Sequence, residues 1–439
     1  MHLIALILPI CIYGYIKPLH HEIIVKEKGE MKLKILEKCN GFYGLIGPNI
    51  ERKETTSLYD FFMGNGMIQG VFIENEKLTF IQTDIETEKR KLEGSIFMNK
   101  HNFALSDLFG VANTAFLYFE NNTYALFERD LPYKIDIDFN KKQVNTIGKH
   151  NIKDINHFSA HSKIRYINDY SCIETISYDI LLKKVKVYQL DSHFRILSSM
   201  KIPVKYVPFV HDFISTPNSI CFLNSPFKID IHLFPRFSTK IQLDTTKSSI
   251  FYVVNRENNK IQRYYVNQCI HIFHYADIYE TEKEIEIYAS ILETLDFSKI
   301  EIQSKYRKII INKETKSVTI ERNPELETMF LEFPVSFIQN NKKKVLLRYV
   351  ENELNTGFII CHKLEMEKRI YFKNRCICGE PTVLIIENEI PYAIFFTKDM
   401  NENGYFNILN LVTEKNIEIP INEKIKIGFH SLFLPNCNS

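Results

Sequence analysis

The chain has 439 residues, enough for one large domain or two ordinary ones, and 45% of them are hydrophobic, so a sizeable core can be buried. Lys and Arg number 55 against 53 Asp and Glu, a formal net charge of +2, which argues against the concentrated basic face of a nucleic-acid binder. The 9 cysteines, an odd number spread along a long chain, exclude a small disulfide scaffold and favour reduced thiols.

The first stretch, Leu3–Ile16, is uncharged and apolar but contains Pro9 and is short for a bilayer span. It has the character of a signal peptide's apolar region, yet no Lys or Arg precedes it and no small-residue cleavage site follows. Three readings stay open: a signal or anchor, a membrane-touching patch, and a dispensable extension with a second start at Met31. The segment 1–38 is therefore set apart from a single domain over 39–439. A cytoplasmic or membrane-peripheral location is favoured, with secretion as the alternative.

From Cys39 onward short apolar runs alternate with polar turns. Gly70–Ile73 and Leu78–Gln82 flank the turn Glu74–Lys77; Phe116–Tyr118 and Tyr124–Phe127 flank Glu120–Thr123. Val185–Gln189, Ser249–Val254, Lys308–Asn312 with Ser317–Glu321, Tyr392–Phe396 and Phe406–Leu411 continue the design. There are 33 Phe and 23 Tyr, which favours strands; the 15 Gly are few, so many turns must use Asn, Asp or Lys. No long stretch carries a 3.6-residue apolar period. The pattern predicts an all-β sandwich, barrel or propeller, and at this length a propeller is the natural single-domain solution.

The run Val210–Leu223, VHDFISTPNSICFL, places His211 beside Asp212 at the head of a strand, with a turn at Thr216–Ser219. His161, His274 and His430 stand in comparably apolar, strand-like settings. A histidine opening a strand is most often a core residue with its hydrogen bonds satisfied. Imidazole is also the commonest side-chain metal ligand, and four of them on separate strands converge only where a fold aims those strands at one axis. His271 precedes His274 by three positions, so strand alternation turns it away and it is given no metal role. Cys376 and Cys378 have no second pair at zinc spacing and read as ordinary thiols.

A series of short motifs runs through the chain in order. It comprises GPN at Gly47–Asn49, FMGNGMIQGVFI at Phe62–Ile73, GVANTA at Gly110–Ala115 and ALFERDLPYKID at Ala125–Asp136. AHSK at Ala160–Lys163, the run from His211, FPR at Phe234–Arg236 and FHYADIYE at Phe273–Glu280 follow. LEFP at Leu331–Pro334, GEP at Gly379–Pro381 and GFHSLF at Gly428–Phe433 complete it. Each alone is weak, but their shared order from Gly41 to Phe433 resembles the carotenoid cleavage oxygenase family, which includes the retinal pigment epithelium isomerohydrolase.

That resemblance implies a seven-bladed β-propeller with a loop and helix cap over one face and one Fe(2+) on its axis. The four histidine ligands carry over onto His161, His211, His274 and His430. Three supporting glutamates carry over too: Glu128 behind His211, Glu332 behind His274 and Glu380 behind His430, leaving His161 without a carboxylate. It implies a dioxygenase that uses molecular oxygen to cleave a double bond of a carotenoid or apocarotenoid into aldehyde or ketone products. The alternatives are a retinoid ester isomerohydrolase and a non-catalytic apocarotenoid- or lipid-binding propeller that retains iron. It also implies peripheral membrane contact, for which Leu3–Ile16 and Pro203–Phe209 are the candidates.

The chain departs from the family pattern at Met63 and Asn65, at Asp277, at Met400–Asn403 and at Ile46. None is a ligand; they bear on loop geometry and substrate placement. Phe127 stands where the stilbene-cleaving branch has a Lys, which favours an apolar substrate.

Overall fold

The computed structural model describes residues 19–24, 35–36, 38–50, 55–74, 77–91, 110–128, 130–167, 170–232, 238–352, 355–386 and 389–436. The apolar stretch Leu3–Ile16 and the FPR motif lie outside them. The described strands gather into antiparallel sheets that form the seven blades of a propeller, plus one two-stranded hairpin. In chain order, blades 2 to 6 open with Ala115–Phe119, Lys163–Ile167, Ile214–Ser215, His271–Glu280 and Phe330–Gln339. Blade 7 opens with Cys376–Ile377 and Thr382–Ile386, both paired to Ile390–Lys398.

Blade 1 is assembled from both ends of the chain. Gly41–Pro48 pairs on one side with Gly66–Glu74 and on the other with the late strand Ser431–Pro435, which closes the ring. Leu19–Ile24, part of the segment set apart in the sequence, adds an outer strand against Lys77–Asp84.

The core lies between the blades, and that is why so many strands are apolar on both faces. In Ile250–Asn255, Phe251 and Val253 pack toward blade 5 with Ile285 and Ile287. The alternate residues Ile250, Tyr252 and Val254 pack toward blade 3 with Val185 and Val187. In Gly41–Pro48, Tyr43 and Leu45 join Ile394 and Phe396 of blade 7, while Phe42 and Ile46 join Ala125 and Tyr133 of blade 2. A period of two thus serves two neighbours at once. Each large side chain buried this way contributes about 1.5–3 kcal/mol before entropy is subtracted.

The turns confirm that glycine's role passes to other residues. Asn121, Lys142, Asp154, Lys183, Asn259, Lys316 and Asn341 all adopt left-handed φ between 48° and 64°. Asn and Asp tolerate that region through local hydrogen bonding.

One face carries a cap. The short helix Leu58–Phe62 starts at Ser57, whose side chain accepts from the Asp60 N–H. With the hairpin Phe227–His232 and Ser238–Leu243 it forms a cluster containing Leu58, Phe209, Phe227, Ile241, Phe273 and Phe297. In the loop Pro203–Phe209, Val204 and Phe209 are buried, Phe209 turning inward to fill this cap, while Pro203 is exposed and Tyr206 and Val207 are half-buried.

Candidate metal centre

Each histidine of the quartet is delivered by backbone that starts or kinks an inner strand. His161 lies two residues ahead of the strand Lys163–Ile167, and its N–H donates to Ser159 Oγ at 3.1 Å. His211 lies ahead of the two-residue strand Ile214–Ser215. His274 sits inside His271–Glu280, where the register against the next strand slips between Ile272 and Tyr275 and again before Asp277. Such bulges re-aim a side chain without ending the strand.

His430 immediately precedes the closing strand. Its carbonyl accepts from Ile46 N at 3.0 Å, Phe429 N donates to Ile46 O at 2.7 Å, and Gly428 N donates to Cys378 O at 2.6 Å. This lacing needs glycine. A Cβ on Gly47 would lie 2.4 Å from the Gly428 Cα, which ties the GPN motif physically to GFH.

The structure brings all four histidines together. One ring nitrogen from each lies within 4.8 Å of the others, a cluster made by His161, His211, His274 and His430. The Nε2 atoms of His161 and His211 are 3.0 Å apart, and those of His274 and His430 are 3.1 Å apart. The three glutamates stand behind three of the rings. Glu128 Oε1 meets His211 Nδ1, Glu332 Oε2 meets His274 Nδ1 at 2.8 Å, and Glu380 Oε1 meets His430 Nδ1 at 3.2 Å. No carboxylate among the described residues pairs with His161.

These pairings fix the tautomers. A carboxylate that accepts from Nδ1–H leaves Nε2 as a bare lone pair. His274 and His430 then direct lone pairs at each other with no proton between them, and a cation placed among the four relieves that repulsion. Four imidazole nitrogen donors suit a divalent first-row transition ion such as iron; they do not suit Mg²⁺ or Ca²⁺, which take oxygen. Burial, and then charge on the neighbouring imidazoles, holds His161 and His274 well below the ordinary histidine range, so both rings are neutral. Burial pushes the Glu332 carboxyl up to about 7.

Further residues hold these groups in place. Tyr178 OH donates to Glu128 Oε2 at 2.8 Å and Ser431 N to Glu380 Oε2 at 3.2 Å. Asp212, 5% exposed, accepts from Lys163 Nζ at 2.7 Å, from Phe213 N at 2.7 Å and from Tyr275 N at 3.2 Å. One carboxylate thereby ties together the segments that carry His161, His211 and His274. The sequence reading gave Asp212 no role; its signal was a carboxylate adjacent to a ligand histidine in a run otherwise apolar. His271 lies outside the quartet. It is buried in the cap, with Nδ1 at 3.1 Å from Ser225 Oγ and its ring against Phe227 and Phe273.

The family departures have local explanations. Asn65 Oδ1 accepts from Lys89 Nζ at 3.2 Å, Asp277 is paired with Lys343, and Met400–Asn403 form a turn held by Asp399. Ile46 is fully buried between blades 1 and 2.

A cavity of about 520 Å³ opens onto the quartet and is lined by His211, His274 and His430 together with Phe61, Phe62, Phe209 and Phe273. Its size and its many aromatic and aliphatic side chains suit a site for an apolar molecule.

A propeller whose inner strands aim four imidazoles at one point, three of them backed by glutamates, presents a candidate metal centre built of histidine alone. Residues 28–435 match the family model described as retinal pigment epithelial membrane protein (RPE65), and the chain belongs to that family, which takes in the carotenoid cleavage oxygenases. It is 27% identical over 287 residues to a carotenoid 9,10(9',10')-cleavage dioxygenase 1 of Pisum sativum, covering 58% of this chain and 52% of that protein. The homologous enzyme of Arabidopsis thaliana is 24% identical, over 91% of this chain and 85% of its own length. The chain thus aligns with about half the length of the pea protein and with most of the Arabidopsis one. A mutant of the Synechocystis apocarotenoid oxygenase superposes with a TM-score of 0.76 at 17% identity, covering 96% of both chains. The cobalt-substituted form of that oxygenase superposes with a TM-score of 0.74, also at 17% identity and 96% coverage. At this identity the two structures establish the shared fold.

Proposed function

We propose that the protein is an iron(II)-dependent oxygenase that cleaves one carbon–carbon double bond of a carotenoid or apocarotenoid with molecular oxygen. The observation that carries this reading is the convergence of four imidazoles beside a cavity lined by many aromatic side chains. The dioxygenase names of the curated relatives support the same reaction class.

A ferrous ion held by His161, His211, His274 and His430 would supply the oxygen activation that turns one C=C and one O₂ into two carbonyl groups. The chain's own part is positional. Glu128, Glu332 and Glu380 keep the Nδ1 protons of three ligands, so that their lone pairs face the centre. Phe61, Phe62 and Phe273 form a wall that excludes water and holds a polyene. No side chain needs to donate or accept a proton in this scheme. Substrates of this class reside in lipid, so a peripheral membrane contact belongs to the proposal. No helix among the described residues is long and apolar enough to cross a bilayer.

The test pairs metal analysis with isotope labelling. Purified protein is expected to hold one iron per chain and to place label from ¹⁸O₂ in both carbonyl products of a carotenoid or apocarotenoid. Turnover of a retinoid ester without oxygen would replace this reaction with ester cleavage and isomerisation. Stoichiometric iron with no turnover of any polyene would leave a binding protein.

A further inference from the structure

The lining of the cavity is chemically mixed. Phe127, Tyr178, Phe209 and Phe273 come to it from blades 2 to 5. From blades 6 and 7 and the segment that follows come Phe330 and Phe333, the carboxylates of Asp399 and Glu402, and the cations Arg348, Lys398, Lys424 and Lys426. An apolar hydrocarbon gains nothing from these cations.

Arg348 is the unusual member. It stands on Lys342–Asn352 directly opposite Glu332 in the sheet register. Even so, no carboxylate among the described residues comes within ion-pair distance of it, and its buried Nε has no hydrogen-bond partner. Its guanidinium carbon lies 5.7 Å from the ring centroid of Phe333, which in turn stacks on His274 with centroids 5.4 Å apart. Other arginines of the fold are treated differently. Arg256 forks onto Glu174 at 2.6 and 2.8 Å, Arg307 onto Glu327 at 2.6 and 2.8 Å, and Arg375 onto Glu418 at 2.9 and 2.7 Å. A guanidinium in an apolar wall without such a partner is costly unless something else supplies the negative charge.

Lys398 reinforces it. Its side chain is 9% exposed, and its nearest carboxylate, Glu402, lies 3.5 Å away and is shared with Lys424 at 3.5 Å. Asp399 is committed to its own turn, accepting from Asn401 N, Asn403 N and Tyr405 OH. Lys426 Nζ donates to Asn49 Oδ1 at 2.6 Å.

We infer that the cavity holds a carboxylate subsite, in which Arg348, with Lys398 in the same lining, takes the acid end of a polyene whose apolar body lies among the aromatic rings. The inference rests on reading the cavity as a polyene site and narrows the substrate to an apocarotenoid carrying an anionic end. It agrees with the apolar side chain that Phe127 adds elsewhere in the lining. Guanidinium and carboxylate meet as two parallel hydrogen bonds, roughly twice as strong as neutral ones.

The test measures binding to the full-length, metal-containing protein, with all-trans-retinoic acid and its methyl ester as probes. With no tryptophan and 23 tyrosines, tyrosine fluorescence quenching reports occupancy. The acid is expected to bind at least about tenfold tighter than the ester, a difference of about 1.4 kcal/mol. Arg348→Met is expected to abolish that preference and Arg348→Lys to keep part of it, with metal content unchanged. Equal affinity of acid and ester in the unmodified protein would overturn the inference. So would an acid preference that survives Arg348→Met, since the carboxylate would then sit elsewhere, as on the metal. Should Arg348→Met fail to fold, Lys398→Met must reduce the preference for the subsite to stand. Acid preference in a protein that turns over no polyene would defeat the oxygenase reading and leave the subsite intact.

Discussion

His274 and His430 face each other through their Nε2 atoms at 3.1 Å, although they stand 156 positions apart and belong to blades 5 and 1. Each has its Nδ1 held by a carboxylate, Glu332 and Glu380 respectively. Two lone pairs at that separation oppose the closed ring, and a bound cation reverses the sign of the interaction.

Metal removal is therefore expected to lower stability as well as activity. At a thousandfold excess over its dissociation constant, a bound ion stabilises the native state by about 4 kcal/mol. Calorimetry before and after chelation should show a lower melting temperature in the stripped protein, restored by adding Fe(II). Identical transitions in the two forms would contradict the assignment of the quartet as a metal site.

Glu332→Gln keeps the shape of the side chain and removes its charge. Loss of a carboxylate that orients a metal-bound histidine costs about 10–100-fold in metal affinity or activity. The variant should hold iron more weakly in competition with a chelator while keeping the blade 5 and 6 sheets, as read by circular dichroism. Wild-type retention of iron would show that the contact between His274 and Glu332 does not support the site.

Glu174 predicts how acid destabilises the fold. It is fully buried; burial pushes its carboxyl up, but Arg256, Ser215 and Gln189 together more than offset this and hold it below the ordinary glutamate value of 4.5. A lowered folded pKa means stability that is complete above the ordinary value and is lost as pH falls through the folded one. Urea midpoints should stay level from neutral pH down to about 4.5 on this group's account and drop below it. Arg256→Met, which strands the buried charge, should cost about 3–5 kcal/mol at neutral pH. A cost well under 1 kcal/mol would mean that the pair does not join blade 3 to blade 4.

Phe297 tests the cap. It is fully buried, with its ring centroid 5.2 Å from Phe209, 5.6 Å from Tyr59 and 5.9 Å from Phe62. Phe297→Ala should destabilise by about 3–5 kcal/mol. It should also raise the KM for a polyene more than it lowers kcat, since the cap walls the cavity and does not touch the metal. An unchanged KM would separate the cap from substrate binding.

The hairpins could be read from the sequence because their signal is local. ENEK between VFI and LTFIQ, or ENNT between FLYF and YALF, needs only period-two alternation and turn residues. The number of blades carried no such signal. Contacts such as Phe251 to blade 5 and Tyr252 to blade 3 require apolar residues on both faces and no particular residue, so no repeat is imposed. The quartet and its glutamates were legible through motif order, and the structure brings all seven side chains to one place. The bulges that aim His274 and Glu332 were hidden, since they are backbone events; Phe333, at φ 54°, has no residue signature for one. Arg348 was equally silent, because an arginine in a strand shows its missing partner only in three dimensions.

His430 sits next to Ser431–Pro435, the strand that completes blade 1. Ring closure and delivery of the fourth imidazole are consequently a single event. During synthesis three histidines emerge long before the fourth, and none of the earlier blades can complete the coordination sphere alone. A metal held by all four could be captured only once the circle is latched, so its possession would report that every blade has already found its place.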